Sequence, residues 1–235
     1  MNTSHKLFNI CQRHILKDQT LTRVPEPYIP FVPKNWNGTL VLAEAQNLSI
    51  NGKYFQWLSS LTTDERIYRL AANDQVGIQP WDDGSLKLAV ESALGIQADK
   101  TAVSNGVLWS LVDGKGNNKN PTTELMRHSQ AVWAEMFALW KPEHIVTAGA
   151  VAARVLAGVF KNLNYKPRFT VWPLPSPRVL SPISKTVNEE RLLRRFPEVT
   201  KAINANPTWV DGINRKNKIL FSCLAVAAAT GTRNE

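Results

Sequence analysis

Two polar side chains stand at the carboxyl ends of predicted strands and are the first candidates for chemistry. Glu44 opens the polar segment that follows the apolar run at 39–43, and Asn105 ends a second run at 101–105. A carboxylate can orient water or stabilise developing positive charge, and an amide offers both a hydrogen-bond donor and an acceptor. Because ligand sites in open α/β sheets form beyond the carboxyl ends of the strands, these residues predict a site there.

Each residue also has an ordinary structural interpretation. Glu44 is equally placed to be an exposed acid at a strand end. Asn105 is placed to be a turn asparagine that bonds its own backbone. The sequence on its own leaves both interpretations open beside the functional ones.

The elements that would position these residues alternate between strands and helices. Apolar runs predict four strands, and apolar residues at helical spacing predict helices at 54–70, 121–140 and 150–160. At the second of these helices, Asn120 is the predicted N-cap, Pro121 fits the first turn and Glu124 favours the positive helix end. We therefore predict an α/β fold, a three-layer α/β/α sandwich with a central, mainly parallel four-stranded sheet. The predicted strands are 39–43, 101–105, 144–149 and 169–172.

The chain length of 235 residues predicts one domain over 1–235. Residues 1–24 are predicted to form an N-terminal helical extension, before a connector that contains Pro25, Pro27, Pro30 and Pro33. Residues 181–235 are predicted to form a basic helical part packed on the domain.

The net charge is +9, and the excess lies mostly in one third of the chain. Residues 161–235 hold 13 basic and 5 acidic side chains, a net charge of +8. An uneven basic excess is typical of proteins that neutralise phosphate, so it favours a nucleic-acid partner. The alternative is a basic surface that serves only solubility. Charge alone does not distinguish DNA from RNA.

Composition argues against several other classes of protein. The two cysteines, Cys11 and Cys223, are too far apart for a four-cysteine site, and the four histidines show no ligand spacing. We expect no metal, no iron–sulfur cluster and no other cofactor. The longest apolar run, 219–229, is too short for a membrane span, and the first residues lack the layout of a secretion signal. A cytoplasmic, monomeric protein without membrane contact is expected.

Four motifs in order along the chain resemble those of the uracil-DNA glycosylase superfamily. The segment 42–47, Leu-Ala-Glu-Ala-Gln-Asn, is similar to its first motif, in the Gly-Glu-Ala-Pro-Gly version. Residues 103–105 with 120–122 resemble the segment that supplies the base-reading asparagine, and the strand at 145–149 follows as in that superfamily. The segment 174–177, Leu-Pro-Ser-Pro, looks like the His-Pro-Ser-Pro motif of the DNA-insertion loop. The resemblance spans roughly 36–180.

The resemblance implies a DNA glycosylase that acts on a base flipped out of the helix. In such an enzyme Glu44 stabilises the sugar and orients water, while Asn105 reads the pyrimidine edge. Phe55, with Tyr54 as the alternative, supplies an aromatic face for the base, unless both serve ordinary packing. The remaining base-pocket residues would be Ala45, Asn47 and Leu174, and the residues in contact with DNA would be Lys115, Lys119, Ser176 and Arg178. Alternatively, the predicted DNA-contact residues belong to two solvated polar loops without a ligand.

Departures from the family pattern point to an unusual substrate. Leu174 stands where many relatives have a histidine that stabilises the departing uracil, and Gln46 replaces a proline. Asn47 stands where strict uracil enzymes have a tyrosine that blocks substituents on pyrimidine carbon 5. The open position predicts a 5-modified pyrimidine as substrate, such as a hypermodified cytosine of viral DNA, and hence a role in antiviral defence.

Two rival functions remain at this stage. The first is a catalytically inactive DNA-binding protein on the same fold, which the loss of the motif histidine makes credible. The second is an unrelated α/β protein such as a small-molecule hydrolase. The sequence lacks the nucleophile elbow, phosphate-binding loop and dinucleotide fingerprint that would favour that second reading.

Overall fold

A sheet of four parallel strands forms the centre of the part of the chain that is described. The computed structural model describes residues 3–18, 22, 24–28, 32–33, 35–45, 53–72, 84–113, 115 and 119–231. The strand order is β2-β1-β3-β4, and every adjacent pair is parallel. The strands are β1 (Thr39–Ala45), β2 (Ala102–Val107), β3 (His144–Ala148) and β4 (Arg168–Trp172). The predicted fold class is confirmed, and the sheet is parallel throughout.

Helices cover both faces of this sheet. In the described ranges, no helix is both long and apolar enough to cross a membrane. The helices are α1 (Thr3–Arg13), α2 (Lys53–Ser60), α3 (Thr63–Ala72), α4 (Ser85–Leu94), α5 (Thr123–Trp140), α6 (Ala150–Phe160), α7 (Pro177–Thr186), α8 (Glu189–Arg195), α9 (Pro197–Ala205) and α10 (Arg215–Gly231).

The sheet separates two hydrophobic cores because successive side chains of a strand point to opposite faces. Leu40 and Leu42 of β1 belong to a core built with α1, α5 and α6, where Trp133 and Phe137 are fully buried. Val41, the residue between them, belongs to the other core, built with α4, α9 and α10. Parallel strands that are covered on both faces are apolar along their whole length. For this reason the strands could be predicted from the sequence.

Two predicted helix boundaries are wrong, and polar caps explain both. The helix predicted over 54–70 is two helices, because Thr62 and Glu65 form a reciprocal capping box that begins α3: the Thr62 amide donates to Glu65 Oε2 at 2.9 Å. Helix α5 begins at Thr123 rather than next to Asn120. Its cap is Thr122, whose hydroxyl accepts a hydrogen bond from the Leu125 amide at 3.2 Å.

The N-terminal helix is also shorter than the predicted 1–24. It ends at Arg13, and the chain then pairs with other segments. The Leu16 amide donates to the Pro25 carbonyl at 2.9 Å, and Thr22 forms an antiparallel bridge with Leu111. These long-range backbone bonds replace the intrahelical bonds that a longer helix would make.

Candidate active site

The strand order places a topological switch point between β1 and β3. The chain leaves β1 towards β2 on one side and leaves β3 towards β4 on the other side. Such a reversal opens a space beyond the carboxyl ends of the two strands, and open α/β sheets bind ligands there. Glu44 and Ala45 lie at the end of β1, and Gly149 follows β3.

The backbones of Glu44 and Asn105 lie beside each other at this edge. The register pairs Ala43 with Asn105 and Ala45 with Val107, so Glu44 lies between two paired positions. Neighbouring strands are about 4.8 Å apart. Asn105 is 3% exposed and lies inside β2, which continues two residues beyond the predicted end. The side chain of Glu44 is outside the described part.

Gly149 joins the ends of β3 and β4. Its amide donates to the Trp172 carbonyl at 3.0 Å, and its φ of 107° is a conformation that favours glycine. Helix α6 starts immediately afterwards at Ala150. The amino terminus of α6, where the helix dipole is positive, therefore lies at the same edge of the sheet as Glu44.

The loop after β4 reaches this edge from one flank. Leu174 and Ser176 are half-buried, and Arg178 is exposed in the first turn of α7. Ser176 is the N-cap residue, and its carbonyl accepts from the Val179 and Leu180 amides. Its hydroxyl makes no capping bond within the described structure. Two strand spacings, about 10 Å, separate the start of this loop from β1.

The loop after β2 reaches the edge from the opposite flank. Lys115 and Lys119 are exposed. The Lys115 amide donates to Asp113 Oδ1 at 2.8 Å, and the Lys119 amide donates to the Leu111 carbonyl at 2.9 Å. The predicted DNA-contact residues thus lie on the segments that follow β2 and β4, the outer strands of the sheet, whose ends are about 14 Å apart.

Several predicted base-pocket residues fall outside the description. Asn47 lies outside the described residues. Tyr54 and Phe55 belong to α2, and Ala45 ends β1, but their side chains are likewise outside the description. The predicted role of these residues in base binding therefore stays a prediction.

The basic cluster of α8 is only partly available to a ligand. Arg194 pairs with Glu190 at 3.3 Å on an exposed surface, and Arg195 lies over the Phe196 ring at 5.7 Å. Arg191 is exposed, with its amide bonded to the Asn188 side chain. From the sequence, the cluster of Arg191, Arg194 and Arg195 is predicted either to face phosphate or to form a solvated helix face, and both interpretations stay open.

Sequence reasoning missed a cavity of 620 Å³ between α1, the segment after β2, and α5. Trp109, His128 and Thr22 are among the residues that line it. They come from three separate stretches of sequence, so no local pattern signals the cavity. Over the described ranges, no group of three or more His, Cys, Asp or Glu side chains is arranged to hold a metal ion.

Compared with known protein families, the chain matches none. It also matches no curated protein sequence. The relationship to the uracil-DNA glycosylase superfamily stays a prediction that rests on the four motifs.

Proposed function

We propose that the protein is a monofunctional DNA glycosylase that flips a pyrimidine out of DNA and hydrolyses its N-glycosidic bond. The observation that carries the proposal is the pairing of Ala43 with Asn105. This pairing puts Asn105 and the backbone of Glu44 on neighbouring strands at the carboxyl edge, next to the switch point of the sheet. A carboxylate and a base-reading amide at one edge are what glycosidic hydrolysis on an extrahelical base requires.

The proposed chemistry uses water and no cofactor. The Glu44 carboxylate orients a water molecule and stabilises the positive charge that develops on the sugar as the bond to the base breaks. The water oxygen bonds to the sugar carbon, and the electron pair of the broken bond leaves with the base, which takes up a proton. The product is an abasic site in an otherwise intact strand.

The burial of Asn105 supports a role in recognition. Asn105 is 3% exposed, and in the proposal its amide, with both a donor and an acceptor, reads the edge of the flipped base. The N terminus of α6 lies at the same edge and favours negative charge on the departing base. This contribution is relevant because Leu174 has no hydrogen-bond donor on its side chain.

The positions of the charged loops support DNA as the partner. Exposed Lys115 and Lys119 lie on the segment after β2, and exposed Arg178 lies in the first turn of α7 after β4, so in the proposal a strand laid across the edge meets cations from both outer strands. We propose that the protein acts as a cytoplasmic monomer. Its preferred base in this proposal is a 5-substituted pyrimidine, such as a hypermodified cytosine of viral DNA, admitted by Asn47 in place of a bulkier residue.

The test is base release from oligonucleotides that carry uracil, a thymine mismatch or bulky 5-substituted cytosines. Each product is treated to cleave abasic sites and is resolved by size. We expect cleavage by the unaltered protein and a loss of at least about 100-fold in Glu44→Gln and Asn105→Ala. The controls are Glu143→Gln and Asn162→Ala, exposed residues just before β3 and after α6. Both residues lie at the amino edge of the sheet, opposite the proposed site, so both variants should keep full activity.

The outcomes separate the alternatives. Preference for a 5-substituted base supports the open pocket, whereas equal rejection of all 5-substituted pyrimidines contradicts it. Tight DNA binding without any abasic product, unchanged in Glu44→Gln, would instead identify a catalytically inactive DNA-binding protein.

A further inference from the structure

The cavity of 620 Å³ has the size of a site for a small organic ligand. The described residues that line it come from three parts of the chain: 13–18 and 22 at and after the end of α1, 109, 111, 112 and 119 after β2, and the cap and first half of α5. The α1 side is held to α5 by Glu135, which accepts from Arg13 and lies 2.6 Å from His14 Nε2. Partial burial raises the pKa of Glu135, but the hydrogen bonds from His14 and Arg13 outweigh this and lower it.

The cavity has an aromatic and aliphatic wall. Trp109, Leu111 and Leu125 line it and are each less than 10% exposed. The indole nitrogen of Trp109 donates to the Pro25 carbonyl at 3.0 Å, so the polar atom of this ring is already engaged. The His128 ring meets Trp109 edge-on, with centroids 6.5 Å apart. Such a wall suits a flat ring system that stacks on aromatic side chains.

A buried hydroxyl in this wall lacks a partner. Thr22 lines the cavity and is 5% exposed, and its backbone is held by the bridge to Leu111. Its Oγ1 has no hydrogen-bond partner among the described residues. Because buried polar atoms are almost always hydrogen-bonded, this atom points to a bound group that completes the site.

Cationic side chains border the cavity. Lys17 on the α1 side and Lys119 on the β2 side are both exposed. Thr122, the cap of α5, also lines it, so the positive end of that helix dipole adds to the two ammonium groups. The charged residues that line the cavity are Arg13, Lys17 and Lys119, with Asp18 and Glu124 as the acids. Because Arg13 already pairs with Glu135, the groups that favour an anionic ligand are Lys17, Lys119 and the positive end of α5.

We propose that this cavity binds a nucleoside phosphate. The base lies against Trp109 and His128 and bonds to Thr22 Oγ1, while the phosphate is held by Lys17 and Lys119. A nucleoside phosphate could reach the cavity from two sources: as a free mononucleotide or as one nucleotide of a DNA strand. Lys119 is shared with the proposed DNA contacts, but Lys17, Thr22, Trp109 and His128 have no part in base release, so the proposal goes beyond the proposed function.

Isothermal titration calorimetry on the full chain tests the proposal. The probes are dCMP, dTMP, dAMP, deoxycytidine, inorganic phosphate and a ten-nucleotide single strand. The variants are Lys17→Ala, Lys119→Ala and Thr22→Val, which removes the hydroxyl at nearly constant shape. Lys185→Ala, an exposed lysine in the last turn of α7, is the matched control, and thermal melting confirms that each variant folds. Each of the three cavity variants should weaken binding of a mononucleotide at least about fivefold, and the control should not.

The arms identify the source of the ligand. Mononucleotide binding that is weakened by Lys17→Ala and Thr22→Val supports a free nucleotide. Binding of only the single strand, with the same sensitivity and unchanged in Glu44→Gln, supports a nucleotide of DNA. Three results would overturn the proposal. The first is no binding of the mononucleotides or of the single strand, and the second is binding that the cavity variants leave unchanged. The third is inorganic phosphate that binds as tightly as the nucleotides.

Discussion

His144 should make the stability of the fold depend on pH. It is the first residue of β3, is buried, and its Nε2 lies 3.0 Å from Thr170 Oγ1. The register places it directly beside Arg168 of β4. Burial, followed by repulsion from the Arg168 guanidinium, lowers the pKa of His144 to about 4. The folded protein therefore holds this ring neutral across the physiological range.

The sign of the effect follows from comparing the two states. In the unfolded chain the pKa of a histidine is about 6.5, so on acidification the unfolded state binds a proton first. The contribution of neutral His144 to the free energy of unfolding is fully present above about pH 6.5. It is lost as the pH falls from about 6.5 to about 4. At pH 4.5 these two values give a loss of about 2.5 kcal/mol, an upper bound because solvent screening reduces the shift.

Urea unfolding at pH 7.5 and pH 4.5 measures this loss. His144→Gln keeps a side chain that can bond to Thr170 but cannot titrate. We expect its free energy of unfolding to fall by about 1–2.5 kcal/mol less than that of the unaltered protein between the two pH values. His128→Gln, at an exposed histidine, should show the full loss. An identical pH dependence in all three proteins would refute the reasoning.

Two further predictions concern folding. Gly84 has a φ of 97°, and a Cβ there would lie 2.4 Å from the Trp209 carbonyl oxygen, so Gly84→Ala should cost about 2–4 kcal/mol in urea unfolding. At Gly95, with a φ of 67° and no described atom within 4 Å of such a Cβ, alanine should cost only about 1 kcal/mol; equal losses would contradict this. The single Nε–H of Arg66 is shared by both carboxylate oxygens of Glu26, Nη2 donates to Glu26 Oε1, and the Glu26 side chain is fully buried. Arg66→Met should destabilise by about 3–5 kcal/mol, and adding Glu26→Gln should recover much of the loss in thermal melts; a harmless single change would contradict the account.

The elements that the sequence predicted best are those whose local pattern matches their burial. Helix α6 has the predicted bounds of 150–160, and all four strands match the predicted runs to within one or two residues at each end. These segments are apolar because they lie against the sheet or inside it, so their composition carries the signal directly.

Helix α4 shows the opposite case. It begins after Gly84 and was not predicted, although Leu86, Leu88 and Val90 are all buried in it. Buried residues at alternate positions of a helix lie on different sides, and α4 packs against both α9 and α10. Its pattern therefore lacks the single apolar stripe that marks a helix covered on one face.

The sequence by itself determined the strand segments, the polar residues at their ends and the basic charge of the last third. It could not determine the strand order, because that order depends on where each crossover helix packs rather than on any local pattern. Only the tertiary structure set β1 between β2 and β3, which pairs Ala43 with Asn105 and brings Glu44 beside it. The same holds for the cavity, whose Thr22, Trp109 and His128 meet only because the segment after α1 packs against α5. Contacts between residues so far apart in the chain depend on the packing of whole elements, and no short stretch of sequence encodes them.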